Sequence, residues 1–193
     1  TVWIATGFAA THTATSCSST HVQACLNGSA PCSTIVAGDT VQIPVGTCNW
    51  SAQVTWTAPA NTTLKGAGTG ATGGGDQTVL IDDIASNVPA LDVTVATTGT
   101  FRLSGLTVQG GTGIRKDSGM VRLIGPGTVR VDHVHLNPRQ YSTSDAKGTS
   151  ALSPGARIYG VVDHCIMDYY ANGSMLIYNG GLAGDFGNGV WAE

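Results

Sequence analysis

The tripeptide Val-Asp-His occurs twice in this sequence, at residues 131–133 and 162–164, 31 residues apart. A carboxylate that orients an imidazole is the arrangement of general-base catalysis, so both Asp-His pairs are candidate dyads. Neighbouring residues on a strand bend, however, seldom form a directed Asp-His hydrogen bond. Strands stacked about 4.8 Å apart would also place His over His and Asp over Asp. We therefore predict a structural ladder at a bend, formed by Asp132, His133, Asp163 and His164.

The two pairs belong to a longer series in which apolar residues flank a two-residue step. Its members begin at Leu64, Ile81, Leu103, Val131 and Val162. Spacings of 17 to 31 residues lie in or near the range of stacked repeats, and apolar alternation on both sides predicts two short strands joined by a bend. The second bend position holds residue types that tolerate left-handed backbone angles. They are Gly66, Asp83, Gly105, His133 and His164.

A third strand is predicted before the strand pair in each of the better-defined units. The candidates are 90–95, 120–124, 150–153 and 175–178, with 41–45 and 53–57 in a first coil. Three short strands per coil predict a right-handed, single-stranded parallel β-helix of six or seven coils. Ser18-Ser19-Thr20 would begin a capping helix at about 20–27.

Composition is consistent with one such domain over residues 1–193, with a cap region at 1–35 and coils at 36–193. Only 11% of residues are charged, the net charge is −3 and 41% are hydrophobic, which argues against disorder and gives no reason to expect nucleic acid. No apolar run approaches the length of a membrane span. The last coil stops partway, so we expect self-association or further polypeptide at the C-terminal end.

Four of the five cysteines lie in the first quarter of the chain. Their spacing lacks the Cys-x-x-Cys pattern of zinc sites and predicts two disulfides, hence an oxidising compartment. Three pairings are possible, and we favour Cys17–Cys48 with Cys25–Cys32. Cys165 lies in an apolar alternation and is expected to be a buried thiol.

Two stretches resemble a known family. Residues 38–50 (Gly-Asp-Thr-Val-Gln-Ile-Pro-Val-Gly-Thr-Cys-Asn-Trp) and 63–68 (Thr-Leu-Lys-Gly-Ala-Gly) are similar to the opening of secreted bacterial right-handed β-helix proteins of the pectin-lyase-like superfamily. The Asp-His-Cys of 163–165 resembles the bend motif of their later coils, so the likeness covers most of 15–168. It implies a secreted or cell-surface protein, and in similar sequences the cysteines that match Cys17 and Cys48 appear together. Pectate lyases carry Trp-Ile-Asp-His at a related position, where this chain has Val-Arg-Val-Asp-His and lacks the Trp.

The resemblance also implies where function would lie. In β-helix lyases an Arg or Lys removes a proton beside a uronate carboxylate, and Asp-held Ca²⁺ offsets the charge of that carboxylate. The loop segments 109–119, 137–149 and 168–174 carry cations and tyrosines suited to an acidic sugar chain. Candidate bases are Arg122, Arg139 and Lys147, and candidate Ca²⁺ ligands are Asp117 and Asp145. Candidate substrate-binding residues are Arg115, Lys116, Tyr141, Tyr169 and Tyr170.

Two functions follow from these observations. The first is a lyase-type depolymerase of an acidic polysaccharide, and the second is a non-catalytic adhesin or structural module of a larger extracellular fibre. Hydrolysis is less well supported, because Asp92 is the only Asp on the predicted strands that precede the bends and hydrolases need two or three on adjoining strands. His135 should point outward, as a surface residue or as a sugar or metal contact.

Overall fold

Short runs of alternating apolar residues form parallel strands that stack into a β-solenoid with one short helix. The computed structural model describes residues 9–68, 77–112, 119–138, 152–154, 158–168 and 189–192. The elements are β1 (Thr11–Thr13), α1 (Ser19–Leu26), β2 (Thr40–Gln42), β3 (Gly46–Trp50), β4 (Val54–Ala58), β5 (Thr63–Lys65), β6 (Thr78–Asp82), β7 (Leu91–Val95), β8 (Thr100–Gly110), β9 (Val121–Ile124), β10 (Thr128–Asn137), β11 (Leu152–Pro154), β12 (Tyr159–Asp163), β13 (Ile166–Met167) and β14 (Gly189–Ala192).

The strands form two sheets in which every pairing is parallel. The first sheet runs β1-β2-β5-β8-β10-β12-β14 and also contains β3, β6 and β13, whereas the second runs β11-β9-β7-β4. Strands β8 and β10 continue through the bend. Their first halves pair with β5 and β12, and their second halves pair with β6 and β13. Each coil of this central part therefore has three strand segments, as predicted.

The structure has a solenoid of about four turns, whereas the six or seven coils expected also include segments that lie outside the described residues. The predicted third strands at 90–95 and 120–124 are present as β7 and β9, and 53–57 is present as β4. Segment 150–153 overlaps β11, while 175–178 lies outside the described residues. The right-handed winding stays a prediction, which the known preference of parallel crossovers supports.

The predicted series of bends was wrong at one member, Ile81. In the structure Val41, Leu64, Leu103, Val131, Val162 and Ala192 are successive partners across the strands. Strand β6 instead pairs with the far half of β8, where Ile81 lies opposite Gln109. The Asp82 carboxylate accepts a hydrogen bond from the backbone N–H of Ile84 at 3.1 Å, an Asx turn that ends the strand. One long coil from Leu64 to Leu103 therefore replaces two short ones.

The backbone requirement at the second bend position holds for three of its five residues. Gly105, His133 and His164 have φ values of 68°, 53° and 51°, in the left-handed region. Asp83 and Gly66 do not share these angles. Gly66 is required for a different reason, because a Cβ there would collide with the carbonyl oxygen of Gly105 on the next coil.

Apolar side chains that point inward form the core. In β4 Val54, Trp56 and Ala58 are buried, while Thr55 and Thr57 are exposed. The stacked bend-side positions are fully inaccessible to solvent. They are Val41, Leu64, Leu103 and Val131, each 0% exposed. Burial of one such side chain contributes about 1.5–3 kcal/mol, so the repeat of apolar positions is the main source of stability.

The N-terminal cap agrees with its prediction. Helix α1 begins after Ser18, whose hydroxyl accepts the backbone N–H of His21 at 3.3 Å. Disulfides join Cys17 to Cys48 and Cys25 to Cys32, which is the pairing that the sequence favoured. The first of these attaches the segment before the helix to β3.

Polar side chains also hold the cap against the solenoid. The Gln23 amide of α1 accepts the N–H of Thr55 at 2.8 Å and donates to the Thr55 carbonyl at 2.9 Å, at the outer edge of β4. Buried Asp39 accepts the backbone N–H groups of Ala10 and Val36, both at 2.8 Å, and contacts His12 Nε2 at 3.1 Å. Burial alone would raise the pKa of Asp39, but these hydrogen bonds outweigh burial and lower it. The described part of the chain contains no helix long and apolar enough to cross a membrane.

Candidate functional site

A connected group of polar side chains covers the bends of three neighbouring coils on the first sheet. We call it the bend network. Its members are Arg102, Ser104, Arg130, Asp132, His133, Asp163 and His164. Residues of β8, β10 and β12 lie in register there, which brings side chains about 30 residues apart into contact.

Asp132 is the centre of the bend network and has no exposure to solvent. Arg102 donates from Nε and from Nη2 to its two oxygens, both at 2.7 Å, and Ser104 Oγ donates at 2.7 Å. Arg130 Nε lies 3.1 Å from the same carboxylate. Burial would raise the pKa of Asp132, but the hydrogen bonds from Arg102, Ser104 and His133 hold it well below the usual range. Asp132 is therefore a fixed anion.

The second pair repeats this arrangement nearer the solvent. Arg130 donates to the Asp163 carboxylate from Nε at 3.2 Å and from Nη2 at 2.9 Å. This contact with Arg130, helped by a hydrogen bond with His164, lowers the pKa of Asp163 against the opposing effect of burial. Each arginine thus binds the aspartate of the following coil, and the charges alternate along the stack.

The histidines stack as the ladder prediction required. The rings of His133 and His164 are nearly parallel, with an interplanar angle of 5° and centroids 5.2 Å apart. The expectation that neighbouring Asp and His would not hydrogen-bond was wrong. His133 Nδ1 lies 2.9 Å from Asp132, and His164 Nδ1 lies 3.0 Å from Asp163. The left-handed backbone at each histidine folds the imidazole back beside the preceding carboxylate.

Acyl-transfer chemistry finds no support in the bend network. The hydroxyl of the network, on Ser104, donates to Asp132 and not to an imidazole. A triad requires the nucleophile to contact the base that activates it. The aspartates therefore orient the imidazoles at the bend, and the network contains no nucleophile that contacts either imidazole.

The outer face of the second sheet presents a different surface. Thr55, Asp92 and Arg122 form one row across β4, β7 and β9, and Thr57 and Thr94 form a second row. Between these rows and the cap lies a cleft of about 470 Å³. It is lined by Leu26, Asn27, Thr34, Ile35, Thr55, Trp56, Thr57, Pro59, Asp92 and Thr94. Hydroxyl, amide and carboxylate groups thus meet apolar side chains in a space that would hold a small ligand.

Arg122, predicted as a base, is the one candidate of that kind among the described residues. Its Nε donates to the Asp92 carboxylate at 2.9 Å, and the arginine side chain remains 35% exposed. This hydrogen bond raises the pKa of Arg122. Because its proton is held more firmly than in a free arginine, the geometry disfavours Arg122 as a base and leaves it suited to bind an anion.

The other predicted loop residues lie outside the described residues. They are Arg115, Lys116, Asp117, Arg139, Tyr141, Asp145, Lys147, Tyr169 and Tyr170. Their roles in catalysis, substrate binding and Ca²⁺ binding stay predictions. Among the described residues, no group of three or more His, Cys, Asp or Glu side chains could enclose a metal ion.

Two further expectations concern single residues. Cys165 is half-buried and not part of a disulfide, and burial raises the pKa of its thiol to about 11, so it is a poor nucleophile at neutral pH. His135 is more enclosed than predicted, because its Nε2 contacts the Asp168 carboxylate at 2.9 Å and its side chain is 13% exposed.

Sequence reasoning missed the two arginines of the bend network and the cleft beside the cap. The arginines had a signal, because each lies two residues before its bend, in Arg102-Leu103-Ser104 and Arg130-Val131-Asp132. Residues two apart on a strand point the same way, so each arginine lies on the same side as the first bend residue of its own coil, and the register between coils brings it beside the carboxylate of the next coil. The cleft had no such signal, since it depends on how the cap packs against the second sheet.

Comparisons of this chain with protein-family models, with curated proteins and with solved structures gave no match.

Proposed function

We propose that this protein is an extracellular β-solenoid that binds an acidic polysaccharide along the outer face of its second sheet. The observation that carries the proposal is the cleft between the cap and the rows of Thr55, Thr57 and Thr94. Its size falls in the range of ligand sites, and its hydroxyls can exchange hydrogen bonds with sugar hydroxyls. Two disulfides are compatible with the extracellular setting.

The acidic character of the ligand rests on Arg122. Its guanidinium lies in the same row as Asp92 beside the cleft and is partly exposed. A guanidinium that is bound on one side can still offer donors to a uronate carboxylate on the other. The loop cations predicted from the sequence, Arg115 and Lys116 among them, would extend this cationic path.

Binding can be tested directly by calorimetric titration with soluble uronate polysaccharides and with a neutral glucan. We expect the double variant Thr57→Val/Thr94→Val to weaken uronate binding about 30-fold, since each of the two lost hydrogen bonds contributes about 1 kcal/mol and about 1.4 kcal/mol is tenfold in affinity. Arg122→Gln should weaken uronate binding while leaving neutral-glucan binding unchanged. The matched control is Thr47→Val, which removes an exposed hydroxyl from β3 on the first sheet. Equal affinity in all four proteins, or no binding by the unaltered protein, would refute the proposal.

Lyase-type cleavage is the catalytic form of the same proposal. It needs a base and a group that offsets the charge of the uronate carboxylate. The candidate bases are Arg139 and Lys147. The charge would be offset by Ca²⁺ held by Asp117 and Asp145. The measurement is the absorbance of unsaturated products from the same polysaccharides, with and without Ca²⁺. Binding without any such product would favour the alternative, a non-catalytic adhesin or structural module. The ion pair between Arg122 and Asp92 favours this alternative, because it keeps Arg122 protonated and so unsuited to act as a base.

A further inference from the structure

Two imidazoles on neighbouring coils of the bend network face the solvent side by side. The side chains of His133 and His164 are 39% and 69% exposed, although both residues lie on the bend of a well-packed solenoid. The rings stack with centroids 5.2 Å apart. The proposed polysaccharide cleft lies on the other sheet and does not use them.

The aspartates determine which ring nitrogen is available. Each carboxylate is a fixed anion and accepts only, so the Nδ1 atom beside it must carry the proton. In the neutral imidazole the other nitrogen, Nε2, then keeps its lone pair. A carboxylate behind a histidine is also the arrangement that orients histidine ligands in metal sites.

We propose that His133 and His164 bind one divalent transition-metal ion through their Nε2 atoms, with Asp132 and Asp163 positioning the two rings. The described residues supply no third histidine, cysteine or carboxylate ligand, so water or an exogenous ligand completes the coordination. Imidazole nitrogens select copper, nickel or zinc over calcium and magnesium. The order of affinity should place Cu²⁺ first.

A modest closure of the rings is needed. With metal–nitrogen distances of about 2.0–2.1 Å, two nitrogens on one ion lie at most about 4.2 Å apart. The two rings are nearly parallel, at 5°, with centroids 5.2 Å apart, so their Nε2 lone pairs lie in separate planes and one ring must tilt toward the other before both nitrogens reach one ion. His164, with 69% of its side chain exposed, has room to tilt while Nδ1 stays beside Asp163. The Asp132 carboxylate, held by Arg102 and Ser104, fixes the other ring.

The test is a titration of the tag-free protein with CuCl₂ and separately with ZnCl₂, followed by calorimetry and, for copper, by electron paramagnetic resonance. We expect one ion per chain and the nitrogen hyperfine pattern of two imidazoles. His133→Asn and His164→Asn should each weaken copper binding at least tenfold and remove one nitrogen from the spectrum. Asn is chosen because it tolerates the left-handed backbone at these positions.

Two controls separate a built site from adventitious binding. His21→Asn removes an exposed histidine from α1 and should leave copper affinity and the spectrum unchanged. Asp163→Asn keeps both imidazoles and should weaken binding about 10- to 100-fold, the usual effect of losing the group behind a ligand. The proposal is overturned if the double variant His133→Asn/His164→Asn binds copper as the unaltered protein does, or if the unaltered protein binds none at one equivalent.

Discussion

Replacement of Asp132 by Asn tests whether the bend network stabilises the solenoid. The substitution keeps the size of the side chain and removes its charge. Arg102 makes two hydrogen bonds of 2.7 Å to this carboxylate, which is inaccessible to solvent. If the Asn amide nitrogen faced Arg102, two donors would meet, because a guanidinium has only N–H groups to offer.

The size of the effect follows from these contacts. Hydrogen bonds to a charged group contribute about 1.5–3 kcal/mol each, so the two from Arg102 set an upper limit near 3–6 kcal/mol. The Arg102 side chain is 44% exposed and regains water when its partner is lost, which reduces the loss by about half. We expect the free energy of unfolding to fall by about 2–3 kcal/mol. For a chain of this length that corresponds to a fall in Tm of about 5–10 °C.

The assay is guanidinium unfolding followed by circular dichroism, with calorimetry for Tm. Asp163→Asn is the matched control, because it occupies the same bend position one coil later with partners that are more exposed. Arg130 and His164 are 48% and 69% exposed, so the control should lose less stability. An unchanged unfolding free energy in Asp132→Asn, or a larger loss in the control, would show that the network contributes little.

Three further predictions concern acid, the cap and the bend. The pKa values of Asp132 and Asp163 are lowered in the folded state. Their ionised carboxylates therefore contribute fully to the free energy of unfolding above the unfolded Asp pKa of about 3.9, and this contribution is lost as the pH falls through the folded pKa values. Unfolding titrations should therefore show stability falling below about pH 4, with a shallower fall in Asp132→Asn. Replacing Cys17 and Cys48 by Ser opens a loop that spans 31 residues and should lower the free energy of unfolding by about 3–4 kcal/mol. Thermal unfolding measures this loss, and a Tm equal to that of the unaltered protein would contradict it. His133→Gly should stay within about 1 kcal/mol of the unaltered protein, since Gly accepts a φ of 53°, whereas His133→Val should lose about 2 kcal/mol in the same denaturation assay.

Local features of the fold were predictable from the sequence. The capping helix follows from Ser18 and the apolar residues after it, and its interactions span only a few positions. The strands β4, β7 and β9 follow from period-two alternation, which any single segment displays. Such signals need no knowledge of which strand lies beside which.

Pairing between coils was harder to predict, because loops of unequal length separate the partners. Residues 81–84 have the same apolar, polar, polar, apolar order as a bend, but Asp82 ends its strand by binding the backbone of Ile84. The ion pair of Arg122 with Asp92 likewise depends on the register of β7 with β9. Sequence alone assigned Arg122 to a strand without showing that its charge is already paired.

The contact of Gln23 with Thr55 makes it harder for a strand of another chain to pair with the edge of β4. The outer edge of β4 would otherwise present an N–H and a carbonyl to any passing strand. Here one side-chain amide satisfies both groups, as a neighbouring strand would do. An intruding chain must therefore compete with a tethered amide whose effective concentration, in the millimolar range or above, exceeds that of dilute competitors. The side chain of Gln23 thus opposes the addition of a strand at this edge of the sheet.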